Sequence, residues 1–182
     1  SNKPSNVAGE NQVLTLRAVR TNTDTGACEA ALTGSRTVQL GFECENPTSC
    51  ISGQSLTVDG TAIGANNSGS VSSYTGVTLN FDGTGETNPF VVNYTDAGQV
   101  RLHAQADVPA DGNNPAVTIR GASNSFIVKP DGLCVEAENA PDCSTPGVNA
   151  SCTAYRTAGD PFGLFVTGRG WLPGDDSNYC NA

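Results

Sequence analysis

A chain of 182 residues suffices for one generous domain, or for one domain and part of a second. Its net charge of −9, from 18 acidic against 9 basic residues, repels a phosphate backbone and argues against nucleic acid as a partner. Hydrophobic content of 37% is too high for disorder and charged content of 15% low for a cytosolic enzyme, while no apolar run approaches the roughly 18 residues of a membrane span.

Residues 1–11 are polar and read as a linker or frayed lead-in. With no Met in the chain, the whole reads as a processed or excised piece of something longer. From residue 12 onward period-2 alternation dominates and helical periodicity is nearly absent. "QVLTLRAVR" (12–20) places Leu14, Leu16 and Ala18 on one face, which should point inward. "RTVQLGFECE" (36–45) puts Val38, Leu40, Phe42 and Cys44 on one face. "SLTVDGTAIG" (55–64) is a hairpin whose Asp59-Gly60 suits a primed turn. Two strands flank Asp82-Gly83 in 74–94.

Residues 88–108 read as strand, corner, strand: Phe90, Val92 and Tyr94, then Thr95 to Gly98, then Val100, Leu102 and Ala104. In an immunoglobulin-like sandwich these would be the E strand, the E–F turn and the F strand. Asp96 and Gly98 supply the turn, and Tyr94 would bury its ring and donate its hydroxyl to backbone. After the polar loop 109–116, "VTIRGASNSFIVKP" (117–130) is one bent strand or two short ones. Strands this short, with turns every 8 to 12 residues, indicate an antiparallel sandwich. Beyond Pro130 the composition shifts. Residues 131–154 show little alternation, and one strand is expected at Phe162 to Val166, ahead of the single Trp171.

Seven cysteines, Cys28, Cys44, Cys50, Cys134, Cys143, Cys152 and Cys180, fit neither zinc-ligand nor haem-attachment spacing. Disulfides in an oxidising compartment explain them better. The odd count leaves at least one free or paired elsewhere. Only Cys44 and Cys50, bracketing the turn-forming Glu45 to Ser49, form an expected pair.

Any Ser-His-Asp or Cys-His arrangement would need the only histidine, His103, which faces away from Leu102 and Ala104 and reads as a polar residue on a solvent face. No Gly-x-Ser-x-Gly elbow occurs. The carboxylates sit mostly in turns, so no catalytic residue and no enzyme activity are expected. No cofactor is expected either, with calcium the one candidate. Oxygen ligands crowd 64–70, 110–114 and 174–179, with Asp175, Asp176 and Asp111 the weakly favoured residues, and no segment matches the twelve-residue calcium loop. Asn66, Asn93 and Asn149 head Asn-x-Ser/Thr sequences.

"LTLRAVRTNTDTGACEAAL", "VQLGFECENPTSC", "VTLNFDGTG", "NYTDAGQVRLHAQ", "SNSFIVKPDGLCVE" and "AGDPFGLFVTGRGW" follow one another here. Their order resembles the long repeat region of the MshQ-like family, the mannose-sensitive haemagglutinin (MSHA) type IV pilus biogenesis proteins. The resemblance spans about Leu14 to Trp171. It implies a large exported protein of Gram-negative bacteria with tandem β domains at the cell surface, and it makes "SFIVKP" the junction between repeats. The family brings no catalytic residues.

The expected fold class is all-β: an antiparallel immunoglobulin-like β-sandwich over 12–129, then a disulfide-bearing, partial second β unit over 130–182, opening a second domain. The expected role is a non-enzymatic extracellular module that spaces or presents a binding region. Its expected partners are pilus or other surface proteins, or neighbouring copies of the chain. The alternative is a glycan- or calcium-dependent binding module using the loops 64–73 and 109–116.

Overall fold

A computed structural model describes residues 6–22, 24–110, 115–130, 132–139 and 156–169. Among the described residues there are fifteen strands and no helix. The spine is β5 (Gly34–Asn46), and its sequence explains its place. Val38, Leu40, Phe42 and Cys44 alternate along it, and none exceeds 6% exposure. One edge of β5 carries β9 (Thr75–Phe81), antiparallel, and then β8 (Gly64–Asn67), parallel. The other edge carries β11 (Gly98–Val108), antiparallel. β11 in turn holds β12 (Val117–Ala122) and β13 (Phe126–Lys129) in succession, so residues 117–130 are two strands. β1 (Asn6–Val7) lies parallel beside β13 and completes a seven-stranded sheet.

The facing sheet has four strands in the order β2 (Gln12–Leu14), β10 (Phe90–Tyr94), β6 (Leu56–Val58), β7 (Thr61–Ala62). The β6–β7 link turns at Asp59 and Gly60, with φ of 47° and 79°, the two positive values of a type I′ turn. Phe90, Val92, Tyr94, Leu56 and Val58 from this sheet and Val38, Leu40 and Phe42 from the other form one buried cluster. Because β10 belongs to one sheet and β11 to the other, the corner at 95–97 carries the chain between layers.

Three expectations need correction. Residues 6–9 are not a linker: β1 pairs with β13, Ala8 is fully buried, and the Gly9 N–H donates to the Tyr94 carbonyl at 2.8 Å. Residues 12–20 are not one strand. Leu16 exchanges hydrogen bonds with Thr87, through its N–H to Oγ1 and its carbonyl from the Thr87 N–H, both at 2.9 Å. The Ala18 N–H then donates to the Gly85 carbonyl at 2.8 Å. That change of partner divides β2 from β3 (Val19–Thr21), which makes its own hairpin with β4 (Cys28–Ala30). Lastly, residues 131–154 do contain a strand, β14 (Gly132–Ala137). It pairs antiparallel with β15 (Leu164–Arg169), which starts two residues later than expected. The Leu133/Val135 alternation was too short to register among three cysteines and several turn formers.

Candidate functional site

At the corner, Tyr94 is 6% exposed and its ring meets that of Phe42 edge to face. Its hydroxyl lies 3.9 Å from Cys44 Sγ rather than on a backbone group, as the sequence had suggested. Cys44 is bonded to Cys50, so that sulfur carries no hydrogen and the phenol is the only possible donor. Burial, then the Asp96 carboxylate, pushes the phenol up to about 12. Asp96 Oδ1 accepts the Ala97 N–H at 2.8 Å. Gly98 follows with φ of 152°, and a Cβ there would sit 2.7 Å from the Asn46 carbonyl oxygen. The corner thus joins Tyr94, Asp96 and Gly98 to the end of β5 and to the one disulfide whose two cysteines are both described.

The opposite face of the large sheet bears a polar cluster that the sequence did not reveal. His103 is not on an open solvent face: its side chain is 17% exposed and its Nε2 lies 2.8 Å from Glu43 Oε2. Glu43 Oε1 accepts the Gly69 N–H at 2.7 Å. That backbone donor, and more weakly His103, hold the Glu43 carboxyl below its usual range although burial pushes it the other way. Arg101, cross-strand from Glu43, pairs with Glu45 at 2.8 Å and donates to Ser125 Oγ at 3.0 Å.

Asn66, 4% exposed, completes the cluster. Its amide donates to the carbonyls of Phe42, Gly64 and Ser73, and its Oδ1 accepts the N–H groups of Ser72 and Ser73. The loop it binds lies so close that a Cβ on Gly64 would fall 2.4 Å from the Ser73 backbone. Of the oxygens that made 64–70 look like a calcium loop, Asn66 Oδ1 is thus engaged by backbone N–H groups, and the Asn67 side chain likewise accepts the Cys50 N–H at 3.0 Å. Burial also closes Asn66 to glycosylation in the folded chain. In the sequence Asn66 stood out only as the head of an Asn-x-Ser motif and as one of the oxygen ligands of 64–70, neither of which signals a buried loop-binding amide.

Among the described residues no three His, Cys, Asp or Glu side chains gather as metal ligands. Asp111, Asp175, Asp176, Asn149, Trp171, Cys143, Cys152 and Cys180 lie outside the described residues. Cys134 is disulfide-bonded. Cys28, in the β3–β4 hairpin, is an exposed free thiol.

A groove of about 980 Å³ opens between the layers where the small sheet ends at β2 and the large one continues through β11, β12 and β13. Leu14, Leu16, Leu102, Ala104, Ile119 and Phe126 line it and remain only partly buried. Their alternation was legible, but the missing cover over them was not.

Residues 1–122 match the family described as domain of unknown function (DUF6701), first Ig-like domain, and residues 129–182 match its second domain. No curated protein and no solved structure matches the chain. With two facing sheets joined by a strand–corner–strand crossing at Tyr94, and with the first match covering most of its length, the chain belongs to the DUF6701 family and begins with that family's immunoglobulin-like sandwich.

Proposed function

We propose that the chain is a non-enzymatic structural module of an exported surface protein of the MshQ-like, pilus-associated kind, spacing or presenting a binding region. The observation that carries this reading is the path of the backbone. The chain comes in along β1 and goes out along β13, and the two are parallel neighbours. A strand entered at one end and a parallel neighbour left at the other put incoming and outgoing chain at opposite ends of the sandwich, as a string of modules requires.

Other features support it. The Cys44–Cys50 bond is compatible with an oxidising, extracellular setting. The imidazole that any triad would need is held by Glu43, and among the described residues no hydroxyl or thiol hydrogen-bonds to it. A glycan array, together with calcium titration of the melting temperature, tests the reading. A spacer gives flat responses in both. A saturable glycan signal, or a calcium-dependent rise in melting temperature, would overturn it in favour of a binding module.

A further inference from the structure

The sandwich and the second unit are joined by a very short stretch of chain. The sandwich grips β13 to its last residue: Val128 stands opposite Gly98 of β11 and Asn6 of β1, and the Lys129 carbonyl accepts the Ala8 N–H at 2.8 Å. The β14–β15 ladder then begins at Gly132, opposite Arg169. Only Pro130 and Asp131 lie between, so at most about 11 Å of backbone separates the two ladders. Domains joined by a flexible polar linker move relative to one another by default. A linker headed by proline departs from that case. The ring fixes its own φ at about −65° and keeps the residue before it extended, as Lys129 is in β13.

A contact reinforces the linker. A Cβ built on Gly168 of β15 would lie 2.9 Å from Pro130 Cγ and 3.2 Å from its Cβ. The pyrrolidine ring thus fills the space that a side chain at 168 would need. Gly168 lies inside β15, opposite Leu133, where glycine weakens a strand. Its φ is outside the left-handed region, so backbone freedom does not call for glycine there. The close approach of Pro130 does.

We infer that Pro130, seated on Gly168, is a stiff joint that holds β14–β15 at one fixed angle to the sandwich, so that the two units turn as a single body. Stiffness here deepens the spacer reading and rests on it, because a spacer projects a binding region farther when its modules do not fold back on one another. The two fail separately. A loose joint would leave a flexible spacer, whereas glycan or calcium binding would remove the spacer itself.

Amide NMR relaxation of the full chain tests the joint. Amides of β5, β11, β14 and β15 should report one rotational correlation time, with order parameters of about 0.85 in both units. Pro130→Gly removes the ring and frees the φ angle. It should lower the order parameters of β14 and β15 below about 0.6 and leave those of β5 and β11 unchanged. Gly168→Val, which places a side chain where the ring lies, should do the same. If Gly168→Val abolishes the β14–β15 pairing, Pro130→Gly alone decides, since it leaves β15 untouched. Wild-type protein whose two units tumble separately overturns the inference. So does a Pro130→Gly variant as stiff as wild type, because a wider interface would then set the angle.

Discussion

The rings of Phe42 and Tyr94 meet edge to face across the two sheets, with centroids 5.6 Å apart and planes at 62°. Both are buried, so the contact couples β5 to β10 directly. Tyr94→Ala should cost about 3–5 kcal/mol, the range for truncating a buried aromatic. Tyr94→Phe should cost under about 1 kcal/mol, because the hydroxyl has only a sulfur at 3.9 Å. Urea denaturation measures both. Equal losses would mean that the hydroxyl, not the ring, secures the corner.

The same phenol should make the protein alkali-sensitive. Its folded pKa is raised to about 12, above the ordinary 10.0 that the unfolded chain restores. The associated stability is fully present below pH 10 and is lost as pH rises from about 10 toward 12. In an ultraviolet titration Tyr94 should ionise only above the ordinary tyrosine range. Tyr94→Phe should flatten the decline of stability in that window. Identical slopes for the two proteins would remove Tyr94 as the cause.

Acid should act through Glu43. Its folded pKa is depressed below 4.5, so it contributes stability above the unfolded value and loses that contribution as pH falls through the folded one. Wild-type melting temperature should therefore drop below pH 4.5 more steeply than that of Glu43→Gln. Parallel acid curves would show that the Gly69 and His103 bonds do not favour the charged form in solution.

The Cys44–Cys50 bond closes a short loop, with sequence separation 6. Chain-entropy reasoning assigns so short a closure about 2 kcal/mol. The double variant Cys44→Ala/Cys50→Ala should lose that much in urea denaturation, with an unchanged dependence on denaturant. A loss several times larger would point instead to a cavity beneath Tyr94.

Alternation made the two inner faces legible: Val38, Leu40, Phe42, Phe90, Val92 and Tyr94 are buried where period-2 reading puts them. Turn chemistry was as informative at Asp59-Gly60, because few residues accept two positive φ values. What stayed hidden depends on partners distant in the chain. Glu43 and Asn66 look like exposed polar residues until a loop folds over them. His103 looks solvated until Glu43 arrives from the next strand. β1 is two residues long and exists only because β13 is beside it. The groove too belongs to tertiary structure, since no local pattern records which strand lacks a neighbour.

The side-by-side, same-direction run of β1 and β13 also sets how the sandwich meets tension. A pull on the incoming and outgoing chain acts along both strands, so their shared rungs, such as the Ala8 N–H to Lys129 carbonyl bond at 2.8 Å, are sheared together instead of peeling apart singly. Single-molecule stretching that found rupture as easy as unzipping a lone hairpin would contradict this. Loaded in that direction, the module should give way abruptly, as a clasp does, and not by gradual fraying.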